Sequence, residues 1–168
     1  MEILISADQI AEKVKNLGEQ ISRDYENTAP VLVCLLKGSF IFTADLMRAI
    51  PLPHTIEFLK ASSYGAAAVS SGEVTTQQIA LDVAGKDVLV IEDIVDTGLT
   101  LQYIMAYLAQ QQPVSLRICA LLNKPTARQV DIPIDYCGFT IPEVFVVGYG
   151  LDLDERYRHL PYIGIAPE

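Results

Sequence analysis

The chain has 168 residues, 51% hydrophobic and 20% charged, a balance that fits one folded domain with a sizeable core and excludes a disordered chain. Its 21 acidic and 12 basic side chains leave a formal net charge of −9 at pH 7, and no block of lysine and arginine stands out. Those values argue against general affinity for nucleic acid or for an anionic membrane, so a bound polyanion must be met by backbone amides, a few placed cations or a metal ion.

Glu2, Asp8, Glu12 and Lys13 come early, and no apolar run reaches the ~18 residues of a membrane helix, so a cytoplasmic chain without a leader is expected. Ile10, Val14, Leu17, Ile21 and Tyr25 form one stripe of an amphipathic helix, with Ser6 or Asp8 available to cap it. VLVCLL (31–36) is a continuous apolar run, the mark of a strand buried on both faces. Lys37-Gly38-Ser39 follows it, and FIFTADLMRAI then reads as a helix. HTIEFLKA (54–61) alternates enough to be a strand. The next stretch, SSYGAAAVSSGEV (62–74), is small and polar with no apolar face, which suits either a surface loop or a mobile lid.

DVLVIED (87–93) is a second fully buried strand, LTLQYIMAYLAQQ (99–111) a helix, and VSLRICALL (114–122) a third strand. YCGFTI and VFVVGYG add shorter strands near the C-terminus. Strand, tight turn and helix in repetition predict a single α/β domain over residues 1–168, with a mainly parallel central sheet flanked by helices. Cys34, Cys119 and Cys137 are odd in number, far apart and set in apolar runs, so they are expected to be buried and reduced. No CxxC spacing exists, and His54 and His159 are the only imidazoles.

The stretch VLVIEDIVDTGLTL (88–101) carries the chemistry, because it drives an apolar strand into three carboxylates and then adds a glycine and hydroxyls. In open parallel sheets, ligands sit beyond the carboxyl ends of the strands. Gly98 permits a tight turn there, and the amides around Asp96–Thr100 open onto a helix N-terminus, which favours a phosphate. Thr97 and Thr100 can donate hydroxyl hydrogen bonds, while Glu92 and Asp93 suit vicinal sugar hydroxyls or a magnesium ion through water. Asp96 is left to face the reaction centre.

The motif VLVIEDIVDTGLT resembles the 5-phosphoribosyl 1-pyrophosphate (PRPP) motif of type I phosphoribosyltransferases. The acid at Asp96 resembles in particular the 6-oxopurine branch, the hypoxanthine-guanine phosphoribosyltransferases, where adenine and uracil enzymes usually have a non-acidic residue. The resemblance runs over nearly the whole chain, through LLKGSF, SSYG, LLNKP and EVFVVGYGLDLDERYRHLPYIG in that order. It implies the type I phosphoribosyltransferase fold with a small hood built from N- and C-terminal segments. It also implies purine salvage: hypoxanthine or guanine plus PRPP, with Mg2+, gives IMP or GMP and pyrophosphate.

Residue by residue, the resemblance gives Glu92 and Asp93 the ribose hydroxyls and the metal, and wraps Asp96, Thr97, Gly98, Leu99 and Thr100 around the 5′-phosphate. Asp96 accepts the proton at purine N7. Lys124 donates to the 6-oxo group and so rejects the 6-amino group of adenine. Phe145 stacks on the base, the Val146 backbone reads the purine edge, Asp152 contacts the purine and serves as a further magnesium ligand, and Arg158 binds pyrophosphate. Lys37 and Gly38 form the pyrophosphate loop, with a non-proline cis peptide between Leu36 and Lys37. Ser63 and Tyr64 belong to a lid that closes over the centre and excludes water. The family also implies a homo-oligomer, dimer or tetramer, acting on small molecules.

Taken alone, several of these residues have plainer readings. Lys124 before a proline reads as surface charge, Phe145 in an apolar strand as core, and Arg156 and Arg158 as surface charges. The departures from the family pattern are an apolar Leu99 and an alanine-rich GAAAVSS lid. An RNA-binding regulator on the same fold would need a basic face, which the net charge of −9 opposes. A phosphoacceptor receiver domain would leave Asp152, Arg158 and the polar 62–74 stretch unexplained.

Overall fold

The computed structural model describes residues 1–60 and 81–167. β1 (Ile3–Ile5) leads into α1 (Ala7–Asp24), where Ser6 Oγ accepts the Gln9 N–H (3.2 Å) and Gln9 Oε1 accepts the Ser6 N–H (2.8 Å), a reciprocal cap. Ile10, Val14, Leu17 and Ile21 are the buried face of α1, as their spacing predicts, and Tyr25 at its C-cap is buried beside them. β2 (Val31–Leu36), α2 (Phe40–Arg48), β3 (Thr55–Lys60), β4 (Asp87–Val95), α3 (Leu99–Ala109) and β5 (Ser115–Asn123) follow. A single 3-10 turn (Pro125–Ala127), β6 (Tyr136–Thr140), β7 (Val146–Val147) and β8 (Ile163–Ile165) complete the described elements.

The main sheet has the order β3-β2-β4-β5-β6 and is parallel throughout. Two apolar clusters account for its continuous hydrophobic strands, because alternate residues point to opposite faces. Leu32, Leu89, Ile91, Cys119 and Leu121 pack with α1 and α2, while Val33, Val88, Val90, Ile118 and Ala120 pack with Leu101, Ile104 and Leu108 of α3. From β2 the chain moves outward to β3 on one side, and from β4 through β5 to β6 on the other. The neighbouring β2 and β4 are therefore the point where the winding reverses, and a crevice opens beyond their carboxyl ends.

A second sheet, β1-β8-β7, is antiparallel and pairs Ile3 with Gly164 and Val146 with Ile165. It joins the two ends of the chain into the hood that the resemblance implies. β1 and β8, three residues each, are too short for a hydrophobic period to reveal them.

Two sequence expectations need correction. VFVVGYG is strand only at Val146–Val147, because Gly148, Tyr149 and Gly150 all take positive φ (99°, 51° and 101°) and leave the pleat. Cys137 is exposed, unlike the buried Cys34 and Cys119; it sits on β6, the edge strand, at an outward position. All three thiols are free. The 62–74 stretch, with Ser63 and Tyr64, lies outside the described residues.

Candidate active site

The turn between β4 and α3 is held from behind. Gly98, at φ +83°, is the N-cap of α3 and brings no capping side chain of its own, so the peptide dipoles of an 11-residue helix face the crevice. A Cβ at Gly98 would meet Arg128, Val130 and Ile132 side-chain carbons at 3.1–3.2 Å, so conformation and packing both call for glycine. The segment after β5 clamps this turn through its backbone. The Lys124 N–H donates to Val95 O (3.0 Å), Arg128 Nε to Asp96 O (3.1 Å), and the Gln129 N–H to Thr97 O (2.9 Å). The Arg128 guanidinium also reaches Asn123 Oδ1 and Ile132 O. Asp96 itself is exposed beside the crevice, and Thr97 Oγ1 accepts the Leu99 N–H (3.3 Å).

The loop after β2 meets the acidic pair directly. Gly38 lies so close to Asp93 that an added Cβ would be 1.7 Å from Asp93 Oδ2. On its other side, a Cβ at Gly150 would come within 2.2 Å of Gly38 O. Three segments distant in sequence thus touch at two glycines. The Leu36–Lys37 peptide bond is cis, the isomer the resemblance implies. Glu92 Oε1 accepts the Asp93 N–H (3.1 Å) and Asp93 Oδ1 the Ile94 N–H (2.8 Å). Burial pushes both carboxyls above their ordinary range, and the neighbouring Asp93 charge pushes Glu92 further. For Asp93 the local hydrogen bonds and the charge of Arg158 act in the opposite direction.

The segment from Gly148 to Arg158 supplies the cation. Arg158 NH1 donates to Gly150 O (2.7 Å), and NH2 lies 2.9 Å from Asp152 Oδ1 and 3.1 Å from Glu155 Oε2. Its Nε is buried without a hydrogen-bond partner. Lys37 Nζ lies 2.9 Å from Glu155 Oε1, and Asp152 Oδ2 accepts the Glu155 N–H (2.8 Å). Lys37, followed by Arg158, holds the exposed Glu155 carboxyl below its ordinary range. Arg158 is therefore no ordinary surface charge: its side chain is only 19% exposed, at the centre of this network.

Lys124 and Phe145 also depart from their plain readings. Lys124 is 8% exposed at the end of β5, and among the described residues no ion pair engages its ammonium. Such a buried cation is costly unless an acceptor meets it. Phe145 is 58% exposed rather than core, immediately before the buried Val146 of β7.

Glu92, Asp93 and Asp152 make no preformed cage: among the described residues no group of three histidine, cysteine or acidic side chains is placed to hold a metal ion by itself. Mg2+ is usually held by one or two carboxylates together with water and substrate phosphates. The acidic pair fits that mode, since a divalent cation beside it favours the ionised form of two carboxyls that burial pushes up. Arg128 and Glu155 were not legible as site residues. Arg128 acts mainly on backbone carbonyls, Glu155 on one cation three residues along its own segment and one from the distant β2 loop, and neither belongs to a chemical motif of its own.

Comparison with known proteins is consistent across sequence and fold. The phosphoribosyl transferase domain family matches residues 4–154. The chain is 46% identical to a hypoxanthine phosphoribosyltransferase of Salmonella typhimurium, over 98% of this chain and 94% of that protein. It is also 46% identical to a hypoxanthine-guanine phosphoribosyltransferase of Bacillus subtilis, over 98% of this chain and 92% of that protein. A crystal structure of a hypoxanthine-guanine phosphoribosyltransferase from Bacillus anthracis superposes with a TM-score of 0.91 at 45% identity, covering 99% of both chains. Among the described residues, no helix is long and apolar enough to cross a membrane.

Proposed function

The chain belongs to the phosphoribosyltransferase family, and from that premise we propose how its residues carry out the transfer of a phosphoribosyl group from PRPP to hypoxanthine or guanine. The products are IMP or GMP and pyrophosphate, a purine-salvage reaction. The observation that carries the base specificity is Lys124, a buried cation at the strand end next to the Asp96–Thr100 turn, with no acidic partner among the described residues. A 6-oxo group completes it with an acceptor; the 6-amino group of adenine brings a second donor and leaves both unpaired.

In this reading the amides at the start of α3 and the hydroxyls of Thr97 and Thr100 hold the 5′-phosphate, in a turn pre-shaped by Arg128 and Gln129. Glu92 and Asp93 take the ribose hydroxyls. Purine N9 forms its bond to the anomeric carbon as the bond from that carbon to pyrophosphate breaks, and Asp96 accepts the proton at N7. Exposed Phe145 stacks on the base and the Val146 backbone meets its edge. Lys37, the Gly38 loop and Arg158 receive the departing pyrophosphate. When bound, Mg2+ supplies further neutralisation of the pyrophosphate charge, held by the acidic pair with Asp152. Ser63 and Tyr64 act as the lid. The same reading makes the protein a cytoplasmic homo-oligomer, for which exposed Phe40 at the start of α2 offers apolar surface.

The deciding experiment is pyrophosphate release from PRPP and Mg2+ with hypoxanthine, guanine, xanthine or adenine offered separately. Release with hypoxanthine or guanine and not adenine is expected. Release with adenine at a comparable rate would remove the Lys124 argument. No release with any base, from folded protein, would remove the reaction itself.

A further inference from the structure

The proposed chemistry makes no use of Glu155, yet its carboxylate holds both cations assigned to pyrophosphate. Oε1 lies 2.9 Å from Lys37 Nζ and Oε2 lies 3.1 Å from Arg158 NH2. Each oxygen takes one cation, as two oxygens of one phosphate group would do between the same donors. We propose that Glu155 is an internal occupant of the pyrophosphate subsite. It neutralises Lys37 and Arg158 while the subsite is empty, yields them to the pyrophosphate moiety of PRPP, and reclaims them as pyrophosphate leaves. This inference rests on the proposed function.

The backbone around Glu155 is built for that placement. Leu153 and Arg156 exchange backbone hydrogen bonds (3.2 and 3.0 Å) across a two-residue turn. Asp154 and Glu155, its central residues, take φ of 51° and 60°, a conformation that such a turn normally gives to asparagine and glycine. The Asp152 carboxylate holds the turn by accepting the Glu155 N–H (2.8 Å). A left-handed conformation forced on two non-glycine residues costs free energy, and it aims the Glu155 side chain back at Lys37 and Arg158. These three residues line an open cavity of about 600 Å³ together with Leu36, Phe40 and Phe58.

The occupant is easy to displace. The Lys37 and Glu155 side chains are 57% and 64% exposed, so their pairing is weak and screened by water. A multiply charged pyrophosphate outcompetes a single carboxylate for the same cations. When Glu155 withdraws, Arg158 keeps Asp152 and the Gly150 carbonyl, so it stays oriented. Glu155 thereby acts as a positioning residue that sets how tightly the leaving group is kept.

Calorimetric titration of the full chain with inorganic pyrophosphate and Mg2+ tests this without any turnover. Glu155→Gln and Glu155→Ala are both expected to bind pyrophosphate about 3–10-fold more tightly than wild type, the range that two exposed ion pairs support. Product inhibition by pyrophosphate should strengthen to the same extent, with the KM for the purine unchanged. Equal or weaker pyrophosphate binding in variants of unchanged thermal midpoint overturns the proposal, since a residue that merely orients the cations would loosen the site when removed. Wild-type protein that transfers phosphoribosyl groups but shows this result leaves the functional reading standing. Wild-type protein that neither transfers nor binds pyrophosphate removes both.

Discussion

Replacing Gly38 with alanine tests whether the β2 loop and the acidic pair form one site. The new Cβ would lie 1.7 Å from Asp93 Oδ2 and 2.7 Å from Asp93 Cγ, whereas carbon–oxygen contacts settle at about 3.3 Å or more. The three nearest atoms all belong to the Asp93 side chain, so its carboxylate swings aside rather than the backbone giving way. That rotation surrenders the hydrogen bond from the Ile94 N–H (2.8 Å), a loss of about 1 kcal/mol. For a chain of this size the melting temperature should fall by about 2–4 °C. Moving a substrate-binding acid by more than about 1 Å costs far more in rate, on the order of 10²-fold in kcat/KM for PRPP. Activity should therefore collapse while the fold persists, a contrast read by calorimetry beside steady-state kinetics. Near-normal kcat/KM in a folded variant would refute the reasoning, because Asp93 would then have no part in binding PRPP.

Asp96→Asn should lower kcat by about 10²–10⁴-fold while PRPP binding holds, since the amide keeps the shape and loses the proton acceptor; single-turnover kinetics beside PRPP titration separates the two. Lys124→Gln should reduce discrimination of hypoxanthine over adenine by about 10–100-fold, because an amide can accept as well as donate, and an unchanged ratio of kcat/KM values counts against the lysine's role. Alkaline titration followed by ultraviolet absorbance should show Tyr25, Tyr136 and Tyr149 ionising late. Burial pushes Tyr25 up from 10.0 to about 12, and burial together with an acceptor carboxylate (Asp24 or Asp45) pushes Tyr136 and Tyr149 up as well. Their folded-state values are raised, so the stability they contribute is complete below pH 10 and is lost as pH climbs through that range. A single tyrosine transition near pH 10 would contradict their burial.

Legibility in the sequence followed how locally each feature is specified. VLVCLL and DVLVIED announced their strands because a parallel strand covered on both faces must be apolar throughout. Glu92–Thr100 is legible because one short stretch, from the end of β4 through the turn into α3, holds the acids, the glycine and the helix start. Lys124, Phe145 and Arg158 were legible only through family resemblance. A lysine before a proline, a phenylalanine in an apolar run and an arginine in a polar loop each have a commoner fate, and only tertiary placement buries the first and exposes the second. Arg128 and Glu155 had no signal at all. What Arg128 grips at Asp96 is a backbone carbonyl, which carries no side-chain code. The exposure of Cys137 is not legible, because apolar neighbours in sequence do not reveal that β6 is an edge strand.

The two phosphate-facing halves of the proposed site are built from different interactions, and the difference matches what each must do. The turn for the 5′-phosphate is fixed by hydrogen bonds to its backbone carbonyls, from the Lys124 and Gln129 N–H groups and the Arg128 side chain, none of which has to break when ligand arrives. Its dipoles are pre-aimed, so binding there needs no reorganisation. The pyrophosphate half is instead a set of exchangeable ion pairs among Lys37, Asp152, Glu155 and Arg158, partly open to water. Charges paired to one another must trade partners on binding and again on release, which weakens the grip on pyrophosphate in both directions. A site that held both phosphate groups on pre-aimed amides would bind PRPP tightly and keep its product; loosening only the half that the leaving group occupies avoids that. In a chain of net charge −9, stray cations are few, so this looseness comes from Glu155 engaging the very side chains that the leaving group needs.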